Sequence, residues 1–179
     1  LISTLKGNLS AWNIERTRLK KLNKALFGFN NLYLRGLAMS TLLTILSYGI
    51  AQWQGVLTFT ICALGAKALL EIVNYMEHYG LVRVPDTPVA LHHSWNTNKL
   101  VSSLLLYNLT RHSHHHEQGS FEFWKLRPKA NAPEMPYGYL STLYLLVFFP
   151  GLYRRIMEPK LEHWLDHYAT EDERKLALA

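Results

Sequence analysis

The sequence predicts an all-α chain, a helical-bundle fragment of an integral membrane protein made of a transmembrane hairpin plus cytoplasmic helices. Three observations lead there. Apolar residues make up 49% of the 179 positions and charged residues only 18%, below the usual quarter for soluble domains. Between Arg35 and Lys67 there is no Asp, Glu, Lys or Arg. Around that interval lie two apolar stretches, 34–52 and 56–75, and about 20 residues suffice to cross a bilayer. Elsewhere, apolar residues recur at helical spacing.

Residues 5–26 read as a basic amphipathic helix suited to a membrane surface. Leu5, Leu9, Trp12, Leu19, Leu22 and Leu26 alternate there with Arg16, Arg18, Lys20, Lys21 and Lys24. This basic opening segment lacks the long apolar core of a signal peptide. The chain begins at Leu1 rather than Met and is expected to be part of a longer protein.

The spans 34–52 and 56–75 meet at Gln52-Trp53-Gln54-Gly55, read as a tight interfacial turn. Positive charge lies before the first span and after the second, so both ends are expected on the cytoplasmic side of the membrane. Lys67, Glu71, Asn74 and His78 recur every three or four residues and share one helical stripe. Charges inside a membrane are costly and usually paired. Cys62 lies in an apolar run and reads as a buried, inert thiol. One cysteine excludes a disulfide framework and Cys-ligated zinc or iron–sulfur sites within this chain.

Residues 76–179 form a His-rich region at the cytoplasmic face. The chain is irregular after Gly80, and helical again from Lys99 to His116. A Pro- and Asn-rich loop spans Gly119 to Gly138. Leu140 to Pro150 is apolar but too short to span, so it reads as interfacial or re-entrant. Lys160 to Ala179 reads as one amphipathic helix. The net charge of +6 suits membrane flanks, and no basic patch with interleaved aromatics suggests nucleic acid.

The string His112-Ser-His-His115-His116 carries the chemistry. On a helix, His112, His115 and His116 stand at i, i+3 and i+4 on one face, while His114 points away. With His78 nearby, an imidazole-rich cluster at a membrane face suggests iron; zinc is the alternative, though one zinc usually needs only three or four ligands. A zinc peptidase needs His-Glu-x-x-His, which is absent. A Gly-x-Ser-x-Gly nucleophile and a Gly-rich phosphate loop are also absent. A bis-His haem would not explain the additional imidazoles.

Three motifs then carry a resemblance: Asn74-Tyr-x-Glu-His-Tyr-Gly80, His93-Ser-Trp-Asn-x-Asn98, and Arg111-His-Ser-x-His-His116. Together with Leu126-Arg-Pro128 and Ala132-Pro-x-Met-Pro136, they resemble the C-terminal half of the membrane-bound alkane monooxygenases and of the related xylene monooxygenase hydroxylases. The likeness runs from Ser10-Ala-Trp12 to Met157-Glu-Pro159. It implies a fatty-acid-desaturase-like helical membrane hydroxylase, with residues 1–179 as the C-terminal part of one domain.

The resemblance further implies a non-haem centre of two iron ions, with His78, His112, His115 and His116 as this chain's ligands. The implied reaction uses O2 to hydroxylate a terminal methyl group of a hydrocarbon, an n-alkane first and a methyl-aromatic such as xylene second. A rubredoxin or a ferredoxin-type reductase would donate the electrons. The family's other ligands lie in His-Glu motifs of an N-terminal half, which this chain lacks, so the fragment alone is expected to be inactive. The alternatives are a desaturase-type diiron enzyme and a non-catalytic metal-binding membrane module.

Glu71, Asn74 and Glu77 are candidates to support the ligating imidazoles. His93 reads as structural or adjacent to the centre, His92 as a surface residue and Trp95 as packing. Arg111, Lys125, Arg127 and Lys129 read as a docking patch for an acidic electron carrier or as lipid-headgroup contacts.

Overall fold

A computed structural model describes residues 2–179, with side chains described from Lys6 onward. Leu5, expected on the apolar stripe of the first helix, therefore has its side chain outside the described residues. Among the described residues the structure is helical, and the only strand-like pairing is an isolated bridge between Asn96 and Glu134. Two compact units divide at Ala66–Lys67.

In the first unit, α1 (Ile2–Lys21) ends five residues before the expected Leu26. The reason is that the following loop is tied back onto it. Glu15 accepts both Arg18 nitrogens at 2.6 and 2.7 Å and the Leu32 N–H at 2.7 Å. Arg18 also donates to the Asn30 carbonyl. Asn31, fully buried, starts the next helix: its Oδ1 caps the Leu34 N–H at 3.0 Å, and its amide donates to the Leu26 carbonyl. Such caps satisfy otherwise orphaned N–H groups. The expected apolar stripe is only partly covered, since Leu19 is buried but Leu9 is 65% exposed.

The helix α2 (Leu32–His78) is broken at Ala51 and Gln52, where Gln52 has φ 48° and ψ −136°. That is the corner geometry glycine prefers. Past the break the chain folds back: a Cβ on Gly55 would strike the Ser47 carbonyl. In an uninterrupted helix, residues eight apart would stand about 12 Å apart along the axis. Tyr48 and Trp53 stack edge-on across the corner at 5.3 Å. The expected turn is thus present, one residue earlier than its predicted start. This is the one helix among the described residues long and apolar enough to cross a membrane, and its most apolar stretch is entirely unburied. Cys62 is exposed, contrary to the expected burial, on a helix whose most apolar stretch is unburied.

The second unit packs around Met76, Trp95, Met135, Tyr139, Tyr153, Met157 and Trp164. The last turn of α2 supplies Met76 and Glu77. Gly80 ends the helix at φ 71°, and any Cβ there would collide with Leu161. The expected continuous helix over Lys99–His116 is instead two pieces, α3 (Leu100–Leu105) and α4 (His112–Glu117). Tyr107 and Asn108 between them both adopt positive φ, and the Asn108 N–H closes the end of α3 on the Ser103 carbonyl at 2.8 Å. The loop 119–138 contains one 3-10 turn at Phe123–Lys125. The apolar segment is α5 (Tyr139–Phe148), packed on α6 (Pro150–His167). The tail is not one helix: α6 stops at His167, and Thr170 caps a separate α7 (Glu171–Ala177).

Candidate metal centre

The end of α2 and the short α4 bring His78, His112 and His116 together, with ligand-capable atoms within 4.8 Å of one another. His112 Nε2 faces His116 Nε2 at 2.9 Å. Two facing imidazole nitrogens at that distance must share a proton, or a cation in its place. The rings of His78 lie 5.4 Å from His112 and 5.3 Å from His116. His115 is one layer out, with ring centroids 5.9 and 6.0 Å from His112 and His116. It stands beside the trio without joining its convergence.

The His78 ring is oriented from behind. His78 Nδ1–H donates to the His93 carbonyl at 2.8 Å. A carbonyl can only accept, so the tautomer is fixed and Nε2 keeps its lone pair for a cation. Burial pushes His112 down to about 3, with His116, His78 and His115 adding to the shift. Burial likewise lowers His116. His112 and His116 are therefore neutral near pH 7, the state that binds metals.

Polar loop residues hold α4 in place. Asn96 Oδ1 accepts the Ser113 N–H at 2.9 Å, and its amide donates to Ser113 Oγ and to the Ser94 carbonyl. Ser113 Oγ donates to the Leu91 carbonyl at 2.5 Å. The same loop is tied to α2 by the Trp95 N–H on the Glu77 carbonyl and by the Trp95 indole on the Tyr79 carbonyl. Trp95 is buried, and Tyr139 donates to its carbonyl. Asn96 and Ser113 lie inside the quoted motifs, yet their joining role was not legible from sequence.

The other candidates divide. Glu77 is buried, with Oε2 3.4 Å from His112 Nε2. Its Oε1 and His112 Nδ1 are buried polar atoms with no partner. Such atoms cost free energy unless something fills the gap. Burial pushes the Glu77 carboxyl up to about 8, and a nearby cation would favour its ionised form; converging imidazoles beside such a carboxyl are a donor set that suits a divalent cation such as iron. Glu71 and Asn74 are exposed and not gathered at this site, and Glu71 pairs with Lys67 along the helix. His114 points away: its Nδ1 accepts the Arg127 N–H at 2.8 Å, and Phe121 packs edge-on against its ring.

His92 is not a surface residue. It is half-buried, packed near Trp164 and hydrogen-bonded to Glu173 at 3.1 Å. Glu173 was missed, although Thr170-x-x-Glu173 is a capping-box signature. Of the expected docking patch, Lys125 pairs with Glu122, Lys129 pairs with Glu117, and Arg111 donates to the Leu126 carbonyl.

Comparison with known proteins places the site in context. The fatty acid desaturase family model matches residues 2–146. The chain is 35% identical over 166 residues to an alkane 1-monooxygenase of Alcanivorax borkumensis, covering 88% of this chain and 42% of the relative. It is 36% identical over 179 residues to an alkane 1-monooxygenase of Acinetobacter baylyi, covering 94% and 42%. It is 44% identical over 115 residues to the xylene/toluene monooxygenase hydroxylase component of Pseudomonas putida, covering 64% and 31%. The chain spans less than half the length of these curated relatives.

Proposed function

The chain belongs to the fatty acid desaturase family, and on that premise we propose that it is the C-terminal share of a membrane monooxygenase that hydroxylates a terminal methyl group of a hydrocarbon. The observation that carries this reading is the convergence of the His78, His112 and His116 imidazoles, two of them held neutral by burial. Relatives named for alkane and for xylene/toluene support a hydrocarbon substrate, and our reading takes an n-alkane first and a methyl-aromatic second.

In this reading His78, His112, His115 and His116 hold non-haem iron, and an N-terminal half supplies the remaining ligands of a two-iron centre. Bound iron would supply the redox chemistry that activates O2 with electrons from a rubredoxin or ferredoxin-type donor. The chain's own residues prepare the site. His93 orients His78, the Asn96–Ser113 pair orients α4, and Glu77 offers a carboxylate that can take up or release a proton beside His112. The α2 hairpin is a two-span anchor in the inner membrane that leaves both ends of the chain on the cytoplasmic side.

The test uses the full-length protein. Iron quantification should fall when His78, His112, His115 and His116 are changed to Ala. Product analysis with octane and xylene should give the terminal alcohol, octane preferred. Iron retained in the fourfold variant defeats the ligand assignment, and a double bond in place of a hydroxyl assigns the desaturase alternative.

A further inference from the structure

We propose that Glu173, on α7, is a positioning residue for the metal centre: its carboxylate fixes the His93 imidazole, and through that residue the carbonyl that orients His78. This rests on the reading of His78 as a ligand.

The hydrogen bonds leave little freedom. His93 Nδ1 accepts the Ala90 N–H at 2.8 Å, so the ring's proton must sit on Nε2. That Nε2–H donates to Glu173 Oε1 at 2.5 Å. Glu173 Oε2 takes His92 at 3.1 Å and the Thr170 N–H at 2.9 Å. Glu173 is 3% exposed, so no water can replace it cheaply.

Two consequences follow. First, His92, His93 and Glu173 converge as three possible donors, yet they do not form a second metal site, because both nitrogens of His93 are committed to hydrogen bonds. Second, His93 is held from both sides while its carbonyl faces His78 Nδ1. Without the carboxylate, a buried N–H loses its acceptor and the 3-10 turn Leu91–His93 must shift to relieve it. That turn carries the carbonyl that sets the His78 ring. Partners behind a ligating imidazole commonly tune affinity by 10- to 100-fold.

Arg174 provides the comparison. It anchors α7 separately, donating to the Leu165 carbonyl at 2.7 and 3.0 Å, and it touches no histidine.

The experiment titrates Co2+ into the metal-free full-length protein in detergent and reads the visible absorption bands. Glu173→Ala should weaken Co2+ binding by about tenfold and change the band shape. Glu173→Gln keeps an acceptor oxygen and should recover part of both. Arg174→Ala should lower the melting temperature while leaving affinity and spectrum unchanged. His78→Ala separates the two readings. If it weakens binding while Glu173→Ala leaves affinity and spectrum intact, the positioning role fails and the ligand assignment stands. If His78→Ala changes nothing, the ligand assignment fails and the positioning role with it. Equal losses in Arg174→Ala and Glu173→Ala would show mere loosening of α7 and overturn the proposal. If Glu173→Ala does not fold, Glu173→Gln decides: a changed spectrum supports the role, an unchanged one removes it.

Discussion

His114 stands in the middle of a four-imidazole string, yet its contacts belong to the fold. Spacing alone separates it from His112, His115 and His116, and the structure shows what it does instead: it accepts the Arg127 N–H and packs on Phe121. His114→Ala should therefore cost about 1 kcal/mol of stability, the worth of one such bond, while the iron content of the full-length protein stays unchanged. Glu173 makes a complementary prediction in pH. Burial pushes its carboxyl up, but hydrogen bonds from Thr170, His93 and His92 outweigh burial and hold it at about 2, below the ordinary 4.5. A depressed carboxylate stabilises the fold above its unfolded pKa, and that contribution is lost as pH falls through the folded one. The melting-temperature gap between wild type and Glu173→Gln should be full at neutral pH and shrink between pH 4.5 and about 2. A gap that stays constant over that range would deny the carboxylate's contribution. The shared face of His112 and His116 was legible because helical spacing is a local property, whereas spacing also put His115 there and the structure leaves it outside the convergence. Glu173 was not legible, because its capping box announces a helix start and says nothing of a histidine 80 positions away.

The same divide between local and distant holds for the elements. The hairpin corner was readable from an uncharged, glycine-containing turn between two apolar runs. The split of Lys99–His116 into α3 and α4 was not, since the apolar pattern continues across it. Tyr107 is also an unfavourable residue for the positive φ it adopts. Tertiary ties account for the break: Thr110, fully buried, binds Ser103, and Asn108 donates to the Phe123 carbonyl. The two-piece tail follows the same logic, with the Thr170 cap starting α7 afresh. At the hairpin corner, Gln52 carries a conformation that glycine adopts without strain. Gln52→Gly should stabilise the protein by up to about 1 kcal/mol, read as a higher unfolding midpoint in detergent. A lower midpoint would mean that the Gln52 side chain itself holds the corner.

For the whole molecule, the first question is what covers its apolar surface. Both arms of α2 leave Leu42, Ile45, Leu57, Ile61 and Leu69 exposed, a density that membrane lipid would cover. Cys62 reports on this directly. In intact membranes it should resist a membrane-impermeant maleimide and react once detergent is added, whereas labelling before detergent would place this arm outside the bilayer. The Glu173–His93 bond also bears on the order of assembly. It closes a loop of 80 positions, whereas the His112–His116 contact closes one of four. Wide loops carry the larger entropic cost and tend to close late in folding. The imidazoles of α4 can thus gather early, while the Glu173–His93 bond forms only when the tail docks. If Glu173 positions His93 as proposed, cation affinity should tighten only once the tail has docked.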